Sequence, residues 1–190
     1  RVNYNVLYEK RYPILKKAAE NFLQEPTEEY RDFCEENTSW LQDFSLFMTL
    51  KEIHSGKPWS EWEEKYRNRE ESALVEVAAT HENDIQCWEV YQYFFYKQWN
   101  DLKKYANERG VEIFGDLPIY VSLDSVDVWA HPELFQLDEA KNPKEVAGCP
   151  PDGFSATGQL WGNPLFDWGY MARDGFSWWV SRIKYLCNVY

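Results

Sequence analysis

The hydrophobic period of this chain changes at a single glycine, Gly110, and that change narrows the folds open to it. Before Gly110, the residues Ile85, Trp88, Tyr91, Phe95, Trp99, Leu102 and Tyr105 recur every three or four positions, the stripe of a long amphipathic helix. After it, Val111, Ile113 and Gly115 alternate with Glu112, Phe114 and Asp116, and Leu117-Pro118-Ile119-Tyr120-Val121 continues extended. Spacing by three or four suits a helix, alternation suits a strand, and glycine is a common helix stop. A helix, a glycine and an apolar strand ending in Asp116 make half of an α/β unit.

Upstream, Ile14, Leu15, Ala18, Ala19, Phe22 and Leu23 predict a helix over 12–23 with Pro13 in its first turn. A short acidic helix is expected over 28–36. Trp40, Leu41, Phe44, Phe47, Met48 and Leu50 form a further stripe, stopped by Gly56 and Pro58. Ser60 followed by Glu63 reads as a capping box opening a short helix over 61–67. The periodic stretch from Glu70 to Arg109 is expected to divide near 80–84. Beyond Ser122 turns dominate to about Trp168, and Phe176, Trp179, Val180, Ile183, Leu186 and Cys187 predict a last helix over 174–190. The order is helices, strand, excursion, helix: a helical part over 1–109, then strand, excursion and helix over 110–190. The excursion leaves the carboxyl end of the strand, where α/β barrels build their sites.

With a net charge of −12, the chain repels a nucleic-acid backbone, which leaves a neutral or cationic ligand. No apolar run is long enough to span a bilayer, so no membrane partner is expected, and a reducing, cytoplasmic location is the simplest home. Cys34, Cys87, Cys149 and Cys187 lack the spacing of a metal or disulfide framework, and His54, His81 and His131 stand singly. Neither metal nor cofactor is therefore expected. The glutamates between 61 and 76 read as a solvated helix face.

The residues Pro150 to Pro164 read as a long loop without a period that a helix or strand could use. Such loops usually bind something. Phe154 and Trp161 supply flat apolar faces, while Asp152, Ser155, Gln159 and Asn163 supply short polar groups, an inventory suited to a sugar. Aromatic residues are 18% of the chain, including ten Trp, and most are expected in the core. Asp116 reads equally as a turn cap or a ligand. Asp124 and Asp127 have the option of an acid/base pair, but their spacing by three after Ser122 favours carboxylates at a helix N-terminus.

Several segments together resemble one family. They are Gly115-Asp116-Leu117-Pro118-Ile119-Tyr120-Val121, the run from Asp124 to Phe135, Val146-Ala147-Gly148, and Pro150-Pro151-Asp152 through Asn163-Pro164. In this order they resemble the amylomaltases, or 4-α-glucanotransferases. The likeness is collinear over about 84–190 and looser before that, in the helical pattern and the Arg-Val-x-Tyr opening. It implies part of a (β/α)8 barrel with an inserted, mainly helical subdomain and long substrate-covering loops, the whole chain being one incomplete catalytic domain. It also implies retaining transfer of α-1,4-glucan segments between maltooligosaccharides or longer glucans. A hydrolase of the same clan and a non-catalytic glucan-binding piece are the alternatives.

By the same resemblance, Asp116 matches the aspartate of the family's first barrel motif, beside the catalytic centre. Asp152, Phe154, Ser155, Gln159, Trp161 and Asn163 match the loop covering the donor glucan, with Trp161 and Phe154 stacking and Asp152, Gln159 and Asn163 meeting hydroxyls. Gly153 and Ala156 depart from the bulkier and more polar residues usual there. The nucleophilic aspartate, in an Arg-x-Asp-His motif, and the acid glutamate are expected beyond Tyr190, so these 190 residues are expected to be inactive alone.

Overall fold

The computed structural model describes residues 2–190, so Arg1, the first residue of the Arg-Val-x-Tyr opening, lies outside it. The chain is mostly helical and forms two compact units. One comprises the chain up to Lys57 together with Asn68–Leu102; the other comprises Pro58–Arg67 and Lys103–Tyr190. No helix among the described residues is long and apolar enough to cross a membrane.

The first unit is built from α1 (Tyr4–Phe22), α2 (Glu28–Glu36), α3 (Thr38–Ile53), α5 (Glu71–Thr80) and most of α6 (Glu82–Asn107). Helix α1 begins at Tyr4 rather than 12, and Pro13 sits inside it rather than in its first turn. The Asn3 side chain accepts a long bond from the Val6 amide, 3.4 Å, and the stacked rings of Tyr8 and Tyr12 bridge the turn before Pro13. Tyr4, Val6, Leu7 and Tyr8 are exposed, so no buried stripe marks this half of the helix in the sequence.

Helix α2 has the expected bounds, with Thr27 Oγ1 accepting from the Tyr30 amide. Helix α3 stops as its glycine requires: the Gly56 amide returns to the Lys51 carbonyl at 2.7 Å. The division between α5 and α6 falls at His81, within the expected window. Ala19, Tyr30, Cys87, Val90 and Tyr93 form a buried cluster with Phe22, Phe33 and Phe94 packed against it. Its polar ends are satisfied at the rim, where the Tyr93 hydroxyl donates to Glu29 and the Tyr30 hydroxyl donates to Glu89.

The second unit packs around Phe166, whose ring lies 5.2–5.6 Å from those of Phe135, Trp168, Trp178 and Trp179. A second centre joins residues far apart in sequence. Trp59 and Trp129 are fully buried, the Trp59 indole donates to the Leu123 carbonyl at 2.7 Å, and the Trp129 indole donates to the Tyr66 carbonyl at 2.9 Å. These bonds explain why Pro58–Arg67 sits in this unit. They also displace the expected capping box: Ser60 lies inside a 3₁₀ turn, Trp59–Glu61, and α4 (Glu64–Arg67) begins only after Glu63.

Two expectations for the second unit are corrected. Residues 111–121 form no sheet ladder among the described residues, because the only strands there are β1 (Val146–Cys149) and β2 (Gln159–Pro164), which pair with each other. A strand is defined by a neighbour, and the apolar alternation after Gly110 finds none, leaving Val111, Phe114 and Ile119 exposed. Conversely, Pro150 to Pro164 is not one irregular loop, since its last six residues are β2. The remaining helices are α7 (Val126–Ala130), α8 (Trp168–Met171) and α9 (Ser177–Val189). None of the residues of α9 is buried; Val180 and Ile183 on its apolar side are exposed.

Candidate functional site

The antiparallel pair β1–β2 is a hairpin, and an irregularity in it aims the candidate residues. Val146 pairs with Pro164 and Gly148 with Leu160, so Ala147 alone faces Trp161, Gly162 and Asn163. Such a bulge bends its strand and redirects side chains. Gly162 makes it possible with φ of +79°, a left-handed conformation that a side chain disfavours. From the bulge, Asn163 Nδ2 donates to the Val121 carbonyl at 2.7 Å, and the Trp161 indole donates to Gln159 Oε1 at 3.0 Å. The Trp161 ring rests 6.1 Å from Tyr120, which stacks in turn with Phe166.

The hairpin tip is ordered by its own polar groups. Asp152 Oδ1 accepts from the amides of Phe154 and Ser155 at 2.9 and 2.8 Å, and the Ser155 hydroxyl donates to the Gly158 carbonyl at 2.7 Å. These bonds fold the turn and leave Phe154 projecting, its surface 98% exposed. Asp152 and Ser155 thus have structural work in addition to any ligand they meet.

Asp116 is exposed on the 111–121 segment, whose backbone is held at separate points instead of by a ladder. The Tyr190 ring packs where a side chain on Gly115 would lie, Arg182 Nη2 donates to the Pro118 carbonyl at 2.8 Å, and Asn163 holds Val121. Arg182 lies over the rings of Trp178 and Trp179, 5.0 and 5.7 Å from their centroids. Beside it, burial raises the carboxyl pKa of Asp127 against the opposing pull of Arg182, His131 and the Trp178 indole.

Of the residues singled out by sequence, the structure brings Gln159, Trp161 and Asn163 together on β2, and groups Asp152, Phe154 and Ser155 at the tip. Trp161 and Asn163 also line a cleft of about 320 Å³ with Gly162, Pro58–Ser60 and Ser122–Asp124; Asp116 is outside that lining. Sequence reasoning missed Trp59 and Ser60, which a 3₁₀ turn delivers from over sixty residues upstream. It also read Asp124 as a helix carboxylate. Ser125 is the N-cap and Asp127 the first-turn acid, whereas Asp124 precedes the helix and its Oδ1 accepts from the Trp59 amide at 3.2 Å.

Comparison with known proteins bears on this geometry. The family model for 4-alpha-glucanotransferase matches residues 1–190. The 4-alpha-glucanotransferase of Clostridium butyricum is 41% identical over 190 residues, covering 100% of this chain and 39% of that protein. The Thermus thermophilus 4-alpha-glucanotransferase is 45% identical over 188 residues, covering 97% of this chain and 38% of the relative. A solved amylomaltase from Streptococcus agalactiae in complex with acarbose is 49% identical and superposes with a TM-score of 0.93, covering 100% of this chain and 39% of that structure. The chain therefore spans under two fifths of the length of these relatives. Matched from end to end by the family model and over at least 97% of its length by these relatives, it belongs to the 4-alpha-glucanotransferase family.

Proposed function

We propose that this chain is a segment of a 4-α-glucanotransferase, forming part of a (β/α)8 barrel and the glucan-covering hairpin of a single catalytic domain, in a protein of the cytoplasm. The observation that carries the reading is the bulged hairpin, with Trp161, Gln159 and Asn163 at its root and Phe154 presented at its tip. Two aromatic faces with amides between them suit the C–H faces and hydroxyls of an α-1,4-glucan. The exposed apolar residues of 111–121 and α9 support the barrel, because those are the surfaces that neighbouring strands and helices would cover.

In the proposed reaction, a carboxylate attacks the anomeric carbon while a carboxylic acid protonates the departing 4-oxygen, leaving a glycosyl ester on the enzyme. The 4-hydroxyl of an acceptor glucan then displaces the carboxylate and returns its proton to the second group. Both carboxyl groups are assigned to the part of the family sequence beyond Tyr190; Asp116 lies beside them, and the 190 residues alone are inactive. Transfer prevails over hydrolysis only if water is kept from the ester, and that is the role assigned to the hairpin.

The test is the product series from maltotriose, using the full-length protein and the 190-residue chain. Glucose with maltopentaose and longer chains from the full-length protein is the expected outcome, with no turnover by the shorter chain. Glucose and maltose alone would replace transferase by hydrolase. A product series from the shorter chain would put the nucleophile within it and overturn the assignment of the carboxylates.

A further inference from the structure

Four backbone carbonyls between Pro118 and Leu123 accept hydrogen bonds from side chains, a row that takes the place of a ladder. Pro118 accepts from Arg182 of α9 at 2.8 Å, Val121 from Asn163 of β2 at 2.7 Å, Ser122 from Ser125 at 2.6 Å, and Leu123 from Trp59 at 2.7 Å. Of these four donors Arg182 alone is charged, and a charge-assisted bond is roughly twice as strong as a neutral one. It also grips nearest to Asp116, two residues away. Pro118 has no amide proton, so its carbonyl is the one backbone group by which that residue can be tied.

The guanidinium is itself fixed. It lies over the rings of Trp178 and Trp179, and where burial works against its charge, Asp127 of α7 supports it. Trp178 packs against Phe166 with 5.6 Å between ring centroids, and Phe166 stacks with Tyr120 at 6.2 Å. The path from Arg182 through Pro118 to Tyr120 therefore closes on itself through Phe166 and Trp178. Such a closed path leaves the segment little freedom, and Trp161 rests on Tyr120.

We propose that Arg182 is a positioning residue of the transfer site: its bond to Pro118 holds Asp116 on one side, and the contact of Tyr120 with Trp161 on the other, in fixed register. This rests on the function proposed above, which puts Asp116 beside the reacting carboxyl groups and Trp161 against the glucan. Arg182 acts through the backbone that carries both. Its loss therefore weighs on alignment in the chemical step more than on substrate binding.

The experiment measures kcat, KM and the ratio of longer products to new reducing ends for the full-length protein acting on maltotriose, as wild type, Arg182→Gln and Arg182→Lys. That ratio does not depend on how much of a preparation is folded, so a merely structural role leaves it unchanged. Arg182→Gln should lower both the ratio and kcat by about tenfold, with KM within about threefold. Arg182→Lys keeps a charged donor without the planar fork and should lower them by about threefold. An unchanged ratio in both variants, or in Arg182→Lys where Arg182→Gln fails to fold, would overturn the proposal. If the wild type makes no longer products, the functional reading fails by itself, and the fluorine resonance of Trp161 in fluorotryptophan-labelled protein then decides the link: a signal that moves in the variants upholds it, and an unmoved signal overturns it.

Discussion

At the scale of single residues, chemistry was legible wherever side-chain type alone carried it. Trp161 and Asn163 stood out because an indole and an amide have few reasons to share a glycine-rich stretch, and the structure puts both on a cleft wall. Trp59 and Ser60 carried no such signal, because their placement depends on the hydrogen bonds of Trp59 to Leu123 and Asp124 across more than sixty residues. Asp127 has a measurable consequence. Burial raises its folded pKa above the unfolded value of about 3.9, so the native state holds the extra proton between the two. Its favourable contribution is full below the unfolded pKa and is lost as pH rises through the folded one. Asp127→Asn cannot ionise and escapes that loss. Thermal melts of the full-length protein should show the variant gaining on the wild type as pH rises from about 4; a difference independent of pH would mean that Asp127 is not desolvated.

Elements were legible when period and stop coincided within one stretch of chain. Helix α2 and the division at His81 needed only local signals. The hairpin was hidden because Val-Ala-Gly-Cys in β1 has no useful alternation and its partner lies ten residues beyond, past a tip that looks like pure loop. The opposite happened at 111–121, where alternation was plain but a strand requires a neighbour. What fixes that segment instead is side-chain attachment, so its order should depend on Arg182. Replacing Arg182 by Gln removes the charged donor to Pro118 and the cation over Trp178 and Trp179. The expected cost is about 1–3 kcal/mol in stability. Limited proteolysis of the full-length protein should quicken within 115–121 and remain unchanged in α2 and α3; an unchanged cleavage rate in the segment would show that it is held by other means.

For the whole molecule, two units with separate cores were beyond a linear reading, since Pro58–Arg67 joins Lys103–Tyr190 and leaves its sequence neighbours in the other unit. Phe114 is fully exposed, and no residue of α9 is buried, surfaces that suit a segment completed by the rest of a barrel. The account rests on the hairpin acting as a cover that holds glucan and keeps water from the intermediate. The direct measurement is the ratio of transfer to hydrolysis for maltotriose in full-length wild type and Trp161→Ala, read as longer products against new reducing ends. The account requires transfer to fall by about tenfold or more, with a larger share of intermediates captured by water. An unchanged ratio at an unchanged rate would contradict it, and would leave the hairpin as scaffold alone.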